Sequence, residues 1–275
     1  MRRRLVLAGA AALAARPVLA QAEQTLPRIA LGADSGRDVS FLAQEVGGRA
    51  WVLAGSALDR RHTTWSSFKI PNLLIALEEG VVDGLDTPRR WNPARRPAAA
   101  WWPAAWRRDQ TLRSAFADST VWYFRDLAQA VGGARYRATL ARWRYGNAVA
   151  AEGSDRFWLD GTLRISVREQ VGFLAALLEG RLGVSPASLA ALEEASRAGA
   201  APGLVLHGKT GAGPRRPAGA EGWYVGFLRR QAAPPVAFAL HTTAPDMAAL
   251  RDFRREAALR LLGAAGLLPA GFPLS

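Results

Sequence analysis

Strand-like patterns stand at the two ends of this chain and helical ones fill the middle, and that order restricts the fold more than any single residue does. Arg49 to Ala57 is apolar, partly β-branched and bounded by Gly47, Gly48 and Asp59, which predicts a strand. Ile70 to Glu79 predicts a helix ended by Gly80, and Pro71 fits only if that helix has barely begun there. Helical periodicity follows at Leu112 to Phe116, Tyr123 to Val131, Tyr136 to Trp143, Val167 to Leu178 and Pro186 to Ala198. Three strands are then expected, at Leu204 to Lys209, Gly222 to Arg229 and Val236 to His241, before a closing amphipathic helix over Ala248 to Leu262. The stretch from Asp86 to Trp106, rich in Pro, Arg, Ala and Trp, reads as an ordered surface excursion whose tryptophans serve packing.

The expected fold is therefore α/β of the α+β type. A central, mainly antiparallel sheet draws on N- and C-terminal strands, the first joining the last three, with helices on its flanks and a mostly helical subdomain over roughly 71–200. No cysteine occurs in the 275 residues, so neither disulfides nor thiolate metal sites contribute and burial alone must hold the fold. The three histidines, His62, His207 and His241, have no metal-ligand spacing such as HxxxH, and no metal site is expected from them.

Arg2, Arg3 and Arg4 followed by an apolar stretch from Leu5 to Ala15 and small residues up to Ala20 have the layout of a secretory signal peptide. Cleavage after Ala20 would leave residues 21–275 as one catalytic domain in the periplasm. Sec and twin-arginine export are both compatible with the paired arginines. No later run approaches the apolar length of a membrane helix, so stable membrane insertion is not expected. The net charge of +13 is spread over scattered arginine pairs and is not gathered in a stripe with interleaved aromatics, which argues against a nucleic-acid partner.

Of 36 basic residues only Lys69 and Lys209 are lysine. A guanidinium stays protonated in a protein, whereas burial can neutralise an amine, so these are the first places to look for chemistry. Ser66, Ser67, Phe68 and Lys69 spell SxxK at a strand-to-helix junction. Helical spacing puts the amine beside the Ser66 hydroxyl, where it can act as general base, although the same serine alone would also suit an N-cap. Lys209, Thr210 and Gly211 spell KTG at the end of a predicted strand. The glycine lets a ligand approach the backbone, and the lysine and threonine suit a substrate carboxylate. Between the two motifs Ser119, Thr120 and Val121 give SxV, in the place where some SxxK/KTG enzymes carry SDN.

Over roughly Trp51 to Leu262 these motifs resemble the class D β-lactamases, the oxacillinase group of the penicillin-recognising serine hydrolases. SSFKIPN at 66–72 is similar to that family's STFKIPN, and Tyr145, Gly146 and Asn147 match its YGN motif. FWLDG at 157–161 matches FWxxG, with LRIS at 163–166 in register. The resemblance implies hydrolysis of the β-lactam amide of penicillins of the oxacillin type through an acyl-enzyme on Ser66. It implies no dissociable cofactor, but carbon dioxide or bicarbonate would carboxylate Lys69, and the carbamate would serve both acylation and deacylation. Phe68, Val121 and Trp158 would desolvate the amine, with the Trp158 indole donating to the carbamate. The backbone of Ser66 and Ala212 would form the oxyanion hole, Ser119 would relay a proton to the leaving nitrogen, and Lys209, Thr210 and Arg251 would hold the substrate carboxylate.

Trp65 before the nucleophile and Ala212 after KTG depart from the family's usual small and bulky residues, which bears on substrate range. Monomer and homodimer are both open. The rival readings are a penicillin-binding D,D-peptidase or a sensor domain that acylates without turnover, and an envelope-binding protein that has lost catalysis.

Overall fold

The computed structural model describes residues 23–274, so the expected signal segment lies outside the described residues. Strands β1 (Glu23–Leu26), β2 (Val39–Glu45), β3 (Ala50–Leu53), β4 (Arg197–Ala201), β5 (Leu204–Pro214), β6 (Ala220–Arg230) and β7 (Ala233–Ala244) form one sheet in the order β1-β3-β2-β7-β6-β5-β4. β1 runs parallel to β3, and every other pairing is antiparallel. The expected mainly antiparallel sheet with N- and C-terminal strands is thus present, with one correction. The strand predicted over Arg49 to Ala57 shortens to Ala50–Leu53 and does not meet the C-terminal strands itself, because β2 lies between them and pairs with β7 from Val39↔Thr242 to Glu45↔Val236.

Alternation along the central strands builds a core on each face. Trp223, Val225 and Phe227 of β6, with Ala237 and Ala239 of β7, pack toward the helical side. Tyr224, Leu228, Val236, Phe238 and Leu240 face the other way and meet Phe253, Ala257, Leu261 and Leu262. Side chains two apart share a face, so a run that is apolar throughout is what a strand covered on both sides requires.

Helices α1 (Lys69–Glu78), α2 (Leu112–Ala117), α3 (Val121–Val131), α4 (Gly133–Arg142), α5 (Val167–Leu178) and α6 (Pro186–Ser196) supply the middle. Ser166 caps α5 in a box with Glu169, and Thr111 caps α2 in the same way, which fixes both starts near the predicted residues. Pro71 falls in the first turn of α1, where its missing N–H costs nothing. Among the tryptophans of the 86–106 excursion, Trp102 and Trp106 are buried and Trp101 is exposed. No helix among the described residues is long and apolar enough to cross a membrane.

Three further boundaries differ from the periodicity. The helix expected to Ala198 stops at Ser196, and Arg197–Ala201 becomes the edge strand β4, because pairing with β5 outcompetes the helical preference of alanine. The closing helix is split into α7 (Met247–Leu250) and α8 (Phe253–Ala264), with Asp246 capping the first piece. KTG does not end its strand: β5 continues to Pro214 because β6 pairs with it over its whole length, Ala220↔Pro214 included.

Candidate active site

Ser66 sits in a 3-10 turn, Trp65–Phe68, that runs straight into α1. The turn places Lys69 one helical step beyond Ser66, and Lys69 Nζ and Ser66 Oγ are hydrogen-bonded at 2.8 Å. Lys69 is wholly buried, with Phe124 presenting its ring face 5.1 Å from Nζ. Burial, aided by the charge of Lys209, holds this amine well below the ordinary lysine range. A shift in this direction favours the neutral form that a base or a nucleophile toward carbon dioxide must have.

β5 closes the other side. β4 covers its edge from Leu204 to His207, and beyond that point the edge pairs with no strand among the described residues and meets the Trp65–Phe68 turn. The approach is closest at Gly211: a Cβ there would lie 2.9 Å from the Ser67 nitrogen and 3.2 Å from that of Ser66. Glycine is required because the two backbones touch. Lys209 is buried on the same strand, and its Nζ donates to Ser119 Oγ at 3.1 Å and to the Thr210 carbonyl at 3.2 Å. Burial and, behind it, the charge of Arg254 bring its pKa down to about 7. Ser119 stands between α2 and α3 at φ 58°, a left-handed conformation that costs a non-glycine residue energy and is held by the two flanking helices. SxxK, SxV and KTG, separated along the sequence, therefore converge through the pairs Ser66–Lys69 and Ser119–Lys209.

The aromatic wall is Phe68, Trp158 and Tyr145. Trp158 stacks on Phe68 with ring centroids 5.4 Å apart, and Phe68 lies 5.9 Å from the Tyr145 ring. The carbonyl of Trp158 accepts from the Trp65 N–H at 3.0 Å, yet the Trp158 indole Nε1 is buried with no hydrogen-bond partner among the described residues. Val121 opens α3 and packs against the same core. YGN does structural work here. Gly146 is at φ 56° with Arg164 O where a Cβ would be, and Asn147 ties the loop to Thr162 and Arg164 through its side chain. That loop braces the segment carrying Trp158.

Two residues were not singled out by the motifs. Arg254, in the first turn of α8, is the arginine whose charge bears on Lys209, and its buried Nε has no hydrogen-bond partner among the described residues. Arg251 is exposed at the end of α7 and bears on Arg254. Spacing alone could not choose between two arginines three residues apart. Glu221 of β6 accepts from Trp65 Nε1 at 3.0 Å, which holds the Trp65 ring over Gly213. Burial opposes its ionisation, but His241, His62 and Trp65 around it outweigh that and keep the carboxyl well below the usual range.

The family model of the penicillin-binding protein transpeptidase domain matches residues 43–260. β-Lactamase OXA-10 of Pseudomonas aeruginosa is 37% identical over 169 residues, 60% of this chain and 61% of that protein, so the match spans about three fifths of the relative's length. β-Lactamase OXA-20 of the same organism is 33% identical over 208 residues, 75% of this chain and 73% of its own. Among solved structures, the C-terminal domain of the Bacillus licheniformis BlaR penicillin-receptor superposes with a TM-score of 0.81 at 25% identity, covering 91% of this chain and 99% of that one.

Proposed function

We propose, from the premise that the chain belongs to the penicillin-binding protein transpeptidase-domain family together with the class D β-lactamases, that it is a serine β-lactamase working through an acyl-enzyme on Ser66. The observation that carries the reading is the 2.8 Å contact between Ser66 Oγ and a wholly buried amine whose pKa burial lowers. Lys69 takes the Ser66 proton as Oγ attacks the lactam carbonyl. Backbone N–H groups of Ser66 and Ala212 stabilise the oxyanion. Ser119, hydrogen-bonded to Lys209, passes a proton to the departing nitrogen. Lys209, Thr210 and Arg251 hold the substrate carboxylate, with Arg254 adding positive charge behind them.

Carboxylation of Lys69 by carbon dioxide fits these residues on two counts: the amine is desolvated, and Trp158 Nε1 is a buried donor in need of an acceptor. A carbamate there would supply the general base for both acylation and deacylation, taking over the proton transfer that the free amine would otherwise perform. The leader-like residues 1–20 favour export to the periplasm.

The likeness to the BlaR receptor domain favours one second reading, a sensor that is acylated and stays so. The discriminating experiment mixes purified protein with excess chromogenic cephalosporin or oxacillin, with and without bicarbonate. Sustained turnover accelerated by bicarbonate is expected. A single stoichiometric burst, followed by a stable acyl-enzyme in both conditions, would establish the sensor instead.

A further inference from the structure

Two of the three histidines that chain spacing left unassigned come together in space. His62 precedes the nucleophile by four residues and His241 lies on β7, yet their rings stack at 3.6 Å between centroids. Glu221 completes the group. Its Oε2 lies 3.5 Å from His62 Nδ1 and 3.6 Å from His241 Nε2, and the three donor atoms all fall within 4.8 Å of one another. His241 is 3% exposed, and its Nε2, directed at that carboxylate oxygen, makes no hydrogen bond of ordinary length among the described residues. That nitrogen faces the carboxylate oxygen at 3.6 Å, longer than a hydrogen bond, so the contact holds the group together only loosely.

We propose that His62, Glu221 and His241 form a structural binding site for a divalent cation of the zinc type, beside the acylation centre and distinct from it. Two imidazoles and one carboxylate are a donor set that zinc accepts. Tetrahedral coordination with bonds of about 2.0–2.1 Å sets ligand atoms roughly 3.3 Å apart. The observed 3.5 and 3.6 Å are close to that separation. The rings are only 21° from parallel, so an ion lying in both ring planes requires them to splay. His62 is the one able to move, with 12% of its side chain exposed against 4% for His241, and the solvent beside it supplies the fourth ligand.

The site would join three elements: the two-residue strand His62–Thr63, β6 and β7. Only Oε2 faces the histidines, which leaves Oε1 on the Trp65 indole. A bound ion would therefore fasten the segment from His62 to Trp65 to the sheet without breaking the contact that orients Trp65. Its consequence is a stiffer approach to Ser66. The ion takes no part in acyl transfer, so the site stands or falls independently of the β-lactamase reading.

The test is calorimetric titration of the untagged, chelator-treated chain with zinc chloride, alongside thermal melting. One equivalent should bind, and at a hundredfold excess over Kd the Tm should rise by about 5 °C or more. His62→Ala and Glu221→Gln should each weaken binding at least about 30-fold and abolish the Tm shift. Glu221→Gln keeps an oxygen for Trp65, and His62→Ala alters the more exposed ring, so folding loss in one leaves the other to decide. His207→Ala, whose ring stacks on Phe227 instead, should bind as the parent does. Absence of stoichiometric binding, binding undiminished in both site variants, or loss in His207→Ala alone would each overturn the proposal.

Discussion

Replacing Gly211 by alanine adds one methyl group where β5 meets the backbone of the nucleophile turn. The new carbon would stand 2.9 Å from the Ser67 nitrogen and 3.2 Å from both the Ser66 nitrogen and the Thr64 carbonyl oxygen. Favourable contact begins near about 3.5 Å, so strand and turn must separate by roughly half an ångström. All three neighbours are backbone atoms, and no rotamer change can relieve the overlap. Overpacking of this kind costs about 1–3 kcal/mol, which for a domain of this size lowers Tm by roughly 2–12 °C. The catalytic effect should be the larger one. The displacement falls between Ser66 and the strand that carries its proposed oxyanion partner, and misplacement on the scale of an ångström costs about a hundredfold in rate. Stopped-flow acylation with a chromogenic cephalosporin should show a loss of about 10- to 100-fold. Gly84→Ala, where an added Cβ meets nothing within 4 Å, is the control and should leave both quantities unchanged. Acylation within twofold of the parent, with an unchanged Tm, would refute the claim that this contact sets the site.

The proposed carboxylate site predicts a pH limb. Lys209 has a folded pKa brought down to about 7, so its ammonium is present below that pH and lost above it. kcat/KM for a carboxylate-bearing substrate should therefore decline as pH climbs from 7 to 9, approaching tenfold per unit, and Lys209→Arg should flatten the decline. Arg254→Ala removes a charge that depresses Lys209 and should move the limb to higher pH, whereas an unmoved limb would separate the two residues. Trp158→Phe keeps a ring on Phe68 but deletes the orphaned donor. The bicarbonate needed for half-maximal rate should rise about tenfold, with activity recovered at saturation; an unchanged requirement would remove Trp158 from the carbamate pocket. Gly146→Ala would set a Cβ 2.1 Å from Arg164 O at φ 56°, and Tm should drop by more than about 5 °C by melting, while a change under 1 °C would contradict the assigned role of YGN.

The sequence by itself determined what depends on near neighbours. SxxK needs only a helical turn to bring Lys69 onto Ser66, helical periodicity announces α5 from Val167, and runs of apolar and β-branched residues mark β6 and β7 as strands. Even the scarcity of lysine pointed to the two amines that the fold buries. Partners distant along the chain were decided by tertiary structure alone. β2 between β3 and β7 follows from competition among possible pairings, and KTG in mid-strand follows from how far β6 extends beside it. The choice of Arg254 as the charge felt by Lys209 depends on where α7 breaks from α8. The meeting of His62, Glu221 and His241 depends on how three strands, His62–Thr63, β6 and β7, are brought together. Periodicity is written within a few residues, whereas register emerges only when whole strands pair and side chains as distant in the chain as His62 and His241 are brought to one point.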